Sequence, residues 1–306
     1  MTIGVTAEDA HLREQITELI ESTSDATDCV RIVTIDADLG VDSVHQQLFI
    51  TDRDGIGLKR LADLVTLRRR ITPSRGEYAM HAAYGAALRS AAMRGGVGAA
   101  LADNNGEVVA LGTAEVPTSG GGQYWDGDST DARDIVYGVD PATTARNGTV
   151  TRLLELLSRM GTVLPSSPAR TADVLLADFD SDQDSLGVGH GEALAQSFES
   201  LGRVVHAEMA AMLSAARSGI PVKGKSLYVT AQPCRQCLRH LVCAGLKRVV
   251  FLGRQLAKPP PFHADSISTT LDGSDRMLLL PFTGVGPGAY ELLFAHQMRA
   301  AARIRR

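Results

Sequence analysis

The sequence predicts an α/β protein: a three-layer α/β/α sandwich around a mixed central sheet, with a small N-terminal extension. Of its 306 residues, 44% are hydrophobic, which is enough apolar surface for a sizeable core. In the last third of the chain, strand-like and helix-like segments alternate with short joins, as in α/β sandwiches. Two strand-like segments, 97–103 and 107–115, are joined by an Asn-Gly turn, and this antiparallel hairpin makes the predicted sheet mixed.

The elements of the last third each have a local signal. A helix over 204–219 is expected to stop at Gly219, which precedes Ile-Pro. Pro233 stands at the expected start of the next helix, 233–245. Short apolar runs predict strands at 226–230, 248–253 and 277–282, and the segment from Ala289 onward predicts a final helix.

The upstream part of the chain is less regular. Apolar residues at helical spacing and a high alanine content predict helices over 7–21, 56–67, 77–93 and 149–160. Residues 30–35 predict a strand. Residues 173–184 contain five aspartates and are expected to be exposed, with a strand at VLLADF (174–179) as the alternative.

Charge and composition exclude several classes of protein. The formal net charge is -4 and the pI is near 6.1, so the chain as a whole lacks the basic footprint of a nucleic-acid-binding protein. Aromatic residues make up 5%, so an extended base-stacking platform is not expected. No apolar run approaches the ~20 residues of a membrane span. The N-terminus has early acidic residues and no apolar signal region, so we expect a soluble, cytoplasmic protein.

The four cysteines indicate a metal or redox site rather than a disulfide scaffold. Cys234 and Cys237 form a C-x-x-C pair, the spacing of both kinds of site. Cys243 follows at an apolar position, and we expect it to be a buried thiol. Cys29 has no evident partner in the sequence.

The C-x-x-C pair is interpreted together with His206-Ala-Glu208, which begins the preceding predicted helix and adds a histidine as a third candidate metal ligand. One histidine and two cysteines suit Zn²⁺ and leave its fourth tetrahedral position open for water. Glu208 lies two residues after His206, so it can face that water as a general acid and base rather than bind the metal. A thioredoxin-like redox pair or a zinc ribbon is disfavoured, because neither an N-terminal redox context nor a second C-x-x-C is present.

This H-x-E…P-C-x-x-C arrangement is the signature of zinc-dependent nucleobase deaminases. In those enzymes a hydroxide activated by the metal attacks C4 of cytosine, and the glutamate protonates N3 and the departing amine. The signature predicts the same roles for His206, Cys234, Cys237 and Glu208 here, with one zinc ion per subunit.

The stretch VVHAEM…VTAQPCRQCLRHLVCAGLKRVVF (204–251) resembles deoxycytidylate deaminases of the cytidine deaminase-like superfamily. Segments 72–117, 120–140 and 262–294 extend the resemblance to bacterial anti-phage dCTP/dCMP deaminases. That resemblance implies a cytidine deaminase-like fold and conversion of dCTP and dCMP to the uracil forms, which depletes the pool during phage infection. It also implies a homo-oligomer and control by an inhibitory small RNA.

The chain departs from that family at its N-terminus. Many members carry an N-terminal P-loop domain, but no G-x-x-x-x-G-K-[ST] occurs in this sequence. The first ~60 residues are also too few for such a domain. We therefore divide the chain into a shortened N-terminal extension, 1–65, and a zinc-dependent deaminase domain, 66–306.

A second departure concerns the substrate. The family pattern G-x-N-E-V-P reads Gly-Thr-Ala-Glu-Val-Pro at 112–117, so Ala114 replaces an asparagine that usually hydrogen-bonds the nucleoside. Ala114 has no side-chain donor or acceptor, and an unpaired buried hydroxyl costs roughly 1–3 kcal/mol. Either affinity is weak, or Thr113 supplies the bond, or the substrate differs.

Four further side chains are candidate substrate contacts. Arg89 and Arg94 flank the first strand of the hairpin and would suit a phosphate, or else they are ordinary solvated or ion-paired residues. Tyr124 and Trp125 would form an aromatic wall beside the base, or else anchor a loop. The acidic loop 126–140 would hold Mg²⁺ accompanying a triphosphate, or else is simply solvated.

Three functional hypotheses stay open at this point. The first is a deaminase of deoxycytidine nucleotides. The second is a deaminase of another nucleoside or aminated ring. The third is a catalytically silent nucleotide-binding regulator, which Ala114 favours and the intact Glu208 disfavours. A polynucleotide substrate is disfavoured by the absence of a basic groove with interleaved aromatic residues.

Overall fold

The structure, a computed structural model, describes residues 2–6, 31–35, 60, 64, 70–93, 95–162, 164, 166–181, 202–253, 263–291 and 293–295. The chain divides into two compact units. The first comprises residues 1–89, 97–113 and 206–306, and the second comprises 90–96 and 114–205. The division at residue 65 proposed from the sequence stays a prediction.

The described part of the chain forms strands and helices in both units. In chain order they are β1 (Thr2–Thr6), β2 (Arg31–Ile35), α1 (Arg75–Ala87), β3 (Gly98–Ala102), β4 (Val108–Thr113), α2 (Asp134–Tyr137), α3 (Pro141–Arg159), α4 (Pro168–Ser181), α5 (Ala207–Arg217), β5 (Ser226–Val229), α6 (Arg235–Cys243), β6 (Arg248–Phe251), β7 (Ile267–Ser268) and β8 (Met277–Pro281). A short 3₁₀ helix, Pro287–Ala289, follows β8.

The first unit is built on a six-stranded sheet in the order β4-β3-β5-β6-β8-β7. Strand β3 pairs antiparallel with both β4 and β5, while β5, β6, β8 and β7 pair in parallel. The mixed sheet predicted from the hairpin is therefore confirmed. The turn of the hairpin lies at Asp103–Gly106, where Gly106 has a φ of 89°, a conformation that favours glycine.

Helices α1 and α5 cover opposite faces of this sheet, and two glycines make room for them. Gly98 on β3 lies so close to α1 that a Cβ there would stand 2.0 Å from the Ala83 carbonyl oxygen. Gly112 on β4 lies equally close to α5, where a Cβ would stand 2.1 Å from the Ala207 oxygen. Gly98 is paired with Thr113, and Gly112 with the next residue of β3, so the two glycines point to opposite faces. The three-layer arrangement follows.

The core between α1 and the sheet combines alanines at the helix–strand contact with a few large side chains. Ala79, Met80 and Ala83 of α1 pack on Ala100 and Ala102 of β3, together with three larger residues: Tyr228, Leu252 and Phe282. Small residues on both sides let the helix lie close to the strands, which agrees with the tight approach at the glycine of β3.

Strands β1 and β2 form a separate parallel pair in register from Thr2↔Arg31 to Thr6↔Ile35. The strand predicted at 30–35 is confirmed, whereas β1 was not anticipated. Its five residues, TIGVT, are too short to show a clear alternation of apolar and polar positions. The predicted helix 7–21 lies outside the described residues, and of the predicted helix 56–67 only Arg60 and Leu64 are described, both helical.

The second unit contains a hairpin of helices, α3 and α4, whose contact is centred on Leu154, Ala172 and Leu176. Helix α4 shows that the alternative strand at 174–179 was wrong. The apolar residues there pack at helical spacing against α3, because Ala172 and Leu176 are one helical turn apart. Among the helices that the structure describes, none is both long and apolar enough to span a bilayer.

Ion pairs organise the loop that precedes these helices. Buried Arg133 donates to both oxygens of Asp131 and to Asp126, the last at 3.0 Å. Arg203 pairs with the buried Asp134. The hydrogen bonds from Arg133 lower the pKa of Asp131 and raise that of the guanidinium. In this loop, therefore, the carboxylates of Asp126, Asp131 and Asp134 are engaged by arginines.

Candidate metal centre and active site

His206, Cys234 and Cys237 meet at the N-terminal ends of two helices. The Nδ1 atom of His206 lies 3.5 Å from the sulfur of Cys234 and 3.5 Å from that of Cys237. All three ligand atoms fall within 4.8 Å of one another, and no other such group of histidine, cysteine and acidic residues occurs among the described residues. Folding thus brings His206 and Cys234, which are 28 residues apart in the sequence, into contact distance.

The backbone of each helix start directs these side chains toward one another. His206 is the N-cap of α5 in extended conformation, and its ring makes no capping hydrogen bond to the helix. Cys234 is the N-cap of α6, and its sulfur accepts a hydrogen bond from the backbone N–H of Cys237 at 3.4 Å. Helix N-termini carry positive potential, which stabilises a thiolate.

These distances fit a tetrahedral zinc ion. Zinc bonds of about 2.0–2.1 Å to nitrogen and about 2.3 Å to sulfur place the two atoms about 3.6 Å apart at the tetrahedral angle. The His206–cysteine separations of 3.5 Å match this value. One imidazole and two thiolates are also a donor set that zinc prefers.

The two thiols behave as a pair that shares a proton. The hydrogen bond from Cys237, together with His206 and the helix N–H, lowers the pKa of Cys234 to about 4. The pKa of Cys237 is raised, because its thiol donates to Cys234 and because it is buried. One sulfur is therefore already a thiolate near neutral pH, which is the form that binds metal.

Glu208 lies beside this group and is almost fully buried, with 4% of its surface exposed. Its carboxyl is within hydrogen-bonding reach of Cys237. Burial raises the pKa of Glu208 above its ordinary value, because removal from water disfavours the charged form. A carboxyl with a raised pKa next to a metal-ligand set is suited to holding and passing on a proton.

The candidate sugar and phosphate contacts are held by hydrogen bonds of their own. Thr113 is buried and donates to the Ala86 carbonyl at 2.9 Å, while Arg89 Nη1 donates to Thr113 Oγ1 at 3.3 Å. Ala114 is also buried, and its carbonyl accepts from the Ser90 hydroxyl at 2.6 Å. Arg89 is thus engaged with Thr113, and its proposed contact with phosphate stays a prediction.

Glu115 is a buried residue that the sequence reasoning did not single out. Its carboxylate accepts from the backbone N–H of Ala91 at 2.7 Å and of Val116 at 2.8 Å. It thereby holds the segment after Arg89 against the segment around Ala114. The available signal was an acid within the apolar run at the end of a predicted strand, where a charge needs partners.

The remaining candidates lie elsewhere or outside the described residues. Tyr124 and Trp125 are in the second unit, in a loop where the N–H of Trp125 donates to Asp128 and 58% of Trp125 is exposed. Arg94 is outside the described residues. The prediction that Cys243 is buried was wrong: it is exposed, because it follows Leu241 by two residues, about 200° around α6 from the packed face.

Comparison with known proteins gives a family match over more than half of the chain, including all of the second unit. The model of the cytidine and deoxycytidylate deaminase zinc-binding region matches residues 73–253. ComE operon protein 2 of Bacillus subtilis is 43% identical over 49 residues, 16% of this chain and 26% of that protein. The deoxycytidylate deaminase of Enterobacteria phage T4 is 40% identical over 47 residues, 15% and 24% respectively. The chain thus spans about a quarter of the length of these relatives.

Likenesses to solved structures are weaker. The apo dCMP deaminase of cyanophage S-TIM5 is 16% identical, with a TM-score of 0.35, over 69% of this chain and 100% of that one. A deaminase/reductase of Thermotoga maritima is 14% identical, with a TM-score of 0.30, over 75% of this chain and 42% of that one. At these TM-scores the fold rests on the strand order and helix packing described above.

Proposed function

The chain belongs to the cytidine and deoxycytidylate deaminase zinc-binding family, and on that premise we propose that it deaminates deoxycytidine nucleotides. The reaction would convert dCTP or dCMP to dUTP or dUMP, with water consumed and ammonia released. One observation carries the proposal: His206, Cys234 and Cys237 converge at distances that fit zinc, with the buried carboxyl of Glu208 beside them.

The three converging side chains would hold the metal. Zn²⁺, when bound, supplies a hydroxide nucleophile at neutral pH by lowering the pKa of water. The chain contributes the donor set and its dry surroundings, since Cys237 is 3% exposed. It also contributes two helix N-termini, which favour the thiolate form of the ligands.

Glu208 would move the proton that the reaction requires. Its carboxylate would accept one proton from the attacking water and deliver it to N3 of the cytosine ring, where it stays. It would then take the second proton, from the hydroxyl now on C4, and deliver it to the departing amino group. The C4–N bond breaks, a C4–O bond forms, and ammonia leaves. The raised pKa of Glu208 suits both halves of this transfer, because the carboxyl can hold the proton between them.

A small nucleotide is the substrate class that the chain supports best. Its net charge of -4 gives no general attraction for a polynucleotide. The deaminases that this sequence resembles place a nucleoside contact at the position of Ala114. Thr113 is the neighbouring polar side chain in this chain. The resemblance of segments 72–117 and 120–140 to anti-phage deaminases supports a role in depleting deoxycytidine nucleotides, as a homo-oligomer.

The test is turnover by the purified, zinc-loaded protein. Cytidine, deoxycytidine, dCMP, dCDP, dCTP, CTP and single-stranded DNA are offered separately, and ammonia and the uracil product are measured by chromatography. We expect turnover of a deoxycytidine nucleotide that vanishes in Glu208→Ala. The matched control is Glu107→Ala, which removes an exposed glutamate at the hairpin and should leave turnover unchanged.

The opposite outcome also has a defined meaning. Zinc-loaded, folded protein that turns over none of these compounds would overturn the proposal. Ala114 favours the two remaining candidates in that case, a deaminase of another aminated ring or a silent nucleotide-binding regulator. Measuring dCMP and dCTP binding by calorimetry separates them, because only the regulator retains nucleotide binding without turnover.

A further inference from the structure

Of the three side chains at the candidate metal centre, the histidine depends most on the segments around it. Cys234 and Cys237 belong to one helix start, where the N–H of Cys237 donates to the sulfur of Cys234 at 3.4 Å. His206 comes from a different part of the chain, 28 residues before Cys234. The position of its imidazole relative to the two sulfurs therefore depends on how the backbone at His206 is fixed.

The backbone of His206 is held from both sides. On one side, its carbonyl accepts from the N–H of Ala210 at 2.9 Å, as the N-cap of α5. On the other side, Val205 exchanges two backbone hydrogen bonds with Glu115, of 3.0 and 3.3 Å. Because Val205 is bonded directly to His206, this pairing fixes the path by which the chain reaches the metal ligand.

The side chain of Glu115 holds the partner of Val205 in place, and it is buried, with 1% of its surface exposed. One carboxylate oxygen accepts from the N–H of Val116 at 2.8 Å, which fixes the backbone directly after Glu115. The other oxygen accepts from the N–H of Ala91 at 2.7 Å, which ties Glu115 to a segment 24 residues earlier. The carboxylate therefore joins two segments at the point where Val205 pairs.

Both hydrogen bonds require a carboxylate at this position. A carboxylate offers two acceptor oxygens, whereas a glutamine of the same shape offers one oxygen and an NH₂ group that would face a donor. Burying a carboxylate is costly unless it is compensated. Two N–H groups and the positive charge of Arg133 compensate it here. The pKa of Arg133 is raised chiefly by its hydrogen bond with Asp131, and the charge of Glu115 adds to this effect.

We propose that Glu115 is a positioning residue for the metal centre: its carboxylate fixes the segment with which Val205 pairs, and Val205 in turn sets the place of His206. This role presupposes the proposed function, since it concerns the zinc site of that function. Groups behind the ligands of a metal orient those ligands, and their loss typically lowers metal affinity about 10- to 100-fold.

The test is the affinity of the full chain for zinc, measured by competition with a chelator. In Glu115→Gln we expect the Kd for zinc to rise at least about 10-fold. The matched control is Glu77→Gln, which also alters a carboxylate that is 1% exposed and accepts from two backbone N–H groups. Its Kd for zinc should be unchanged, because Glu77 is bonded to Arg60, Ser74 and Val285, and none of these adjoins a metal ligand.

Stability is measured separately, so that unfolding is not mistaken for a loss of zinc affinity. Both variants should be less stable than the wild type in urea, because each leaves a buried N–H group without its acceptor. Circular dichroism identifies the conditions under which each variant is folded, and zinc is titrated there. If Glu115→Gln does not fold, Glu115→Asp replaces it. The aspartate keeps the charge but is one methylene shorter, so one of the two hydrogen bonds must lengthen, and a higher Kd for zinc is expected there as well.

Two results would each overturn the proposal: a folded Glu115 variant with the zinc affinity of the wild type, and an equal rise of the Kd in Glu77→Gln. Failure of the proposed deamination gives a different result. The wild type then binds zinc without turnover, and the zinc affinities of the variants still decide the role of Glu115. A wild type that binds no zinc would overturn both proposals.

Discussion

Two buried glutamates stand at comparable places in the first unit and have opposite properties. Glu77 lies in the first turn of α1 and Glu208 in the first turn of α5, on opposite faces of the sheet. Their surfaces are 1% and 4% exposed. Burial raises the pKa of Glu208, whereas the pKa of Glu77 is lowered although burial alone would raise it.

The difference comes from hydrogen-bond partners. Glu77 receives Arg60 Nη2 at 2.6 Å and the backbone N–H groups of Ser74 at 2.6 Å and Val285 at 3.0 Å. The charge of Glu77 is therefore compensated by hydrogen bonds, and its carboxylate links the start of α1 to Arg60 and to Val285. Glu208 has a backbone hydrogen bond and the thiol of Cys237 as partners, and burial outweighs them, so the charged form of Glu208 stays costly. At equal burial, the three donors thus make Glu77 a structural carboxylate, whereas Glu208 is left able to take up a proton.

The largest effect is expected from Glu208→Gln, which keeps the shape of the side chain and removes its proton transfer. Turnover of the nucleotide should fall about 10³- to 10⁴-fold, toward the upper range of general acid–base catalysis. Zinc content, measured by atomic emission, should stay at one ion per chain, because Glu208 is outside the ligand set. Loss of zinc in this variant would contradict the distinction between ligand and proton carrier.

Glu77→Gln tests the structural member of the pair. A neutral amide removes the charge that pairs with Arg60 and leaves one oxygen where two accept now, so the N–H of either Ser74 or Val285 loses its partner. We expect the free energy of unfolding in urea to fall by about 2–3 kcal/mol. The turnover per folded, zinc-loaded molecule should be unchanged. A variant as stable as the wild type would show that the contacts of Glu77 are dispensable.

The pH dependence of stability sharpens the same contrast. The folded pKa of Glu77 is below the unfolded value of 4.5, so its carboxylate stabilises the fold above that value. This contribution is lost as pH falls below 4.5 through the lower folded pKa. The free energy of unfolding, measured from neutral to acid pH, should therefore fall more steeply in the wild type than in Glu77→Gln. Parallel curves for the two proteins would be the contrary result.

The smallest effect is expected at Ala114, a buried position whose side chain offers no partner at all. If the substrate's sugar hydroxyl is unpaired there, Ala114→Asn should lower KM for the deoxycytidine nucleotide about 5- to 10-fold, with kcat little changed. Steady-state kinetics measures this. A higher KM would show that the space beside Ala114 is needed by the substrate or by Thr113.

The candidate site was predictable because its signals are local. A histidine and two cysteines at helix starts require only that the starts meet, and the alternation of strands and helices makes them meet. The same holds for the hairpin of β3 and β4, which is specified by its Asn-Gly turn.

What escaped prediction depends on contacts between distant segments. Glu115 acts on the N–H of Ala91, 24 residues away, so no local pattern marks it. Cys243 was misplaced because an apolar neighbourhood does not say which way a helix is turned. The 174–179 segment became helix because α3 offers its apolar surface a partner at helical spacing, which overrides the local preference for a strand.

The pairing of Glu115 with Val205 has a consequence for the history of the chain. Their backbones exchange hydrogen bonds of 3.3 and 3.0 Å. The segment of about ninety residues between them therefore begins and ends at adjacent positions. Segments that begin and end side by side can be lengthened, shortened or exchanged without disturbing what lies on either side. The strand ending at Thr113 and the helix that follows His206 would thus tolerate a different insert, and exchange of that module would give the same sheet new surfaces.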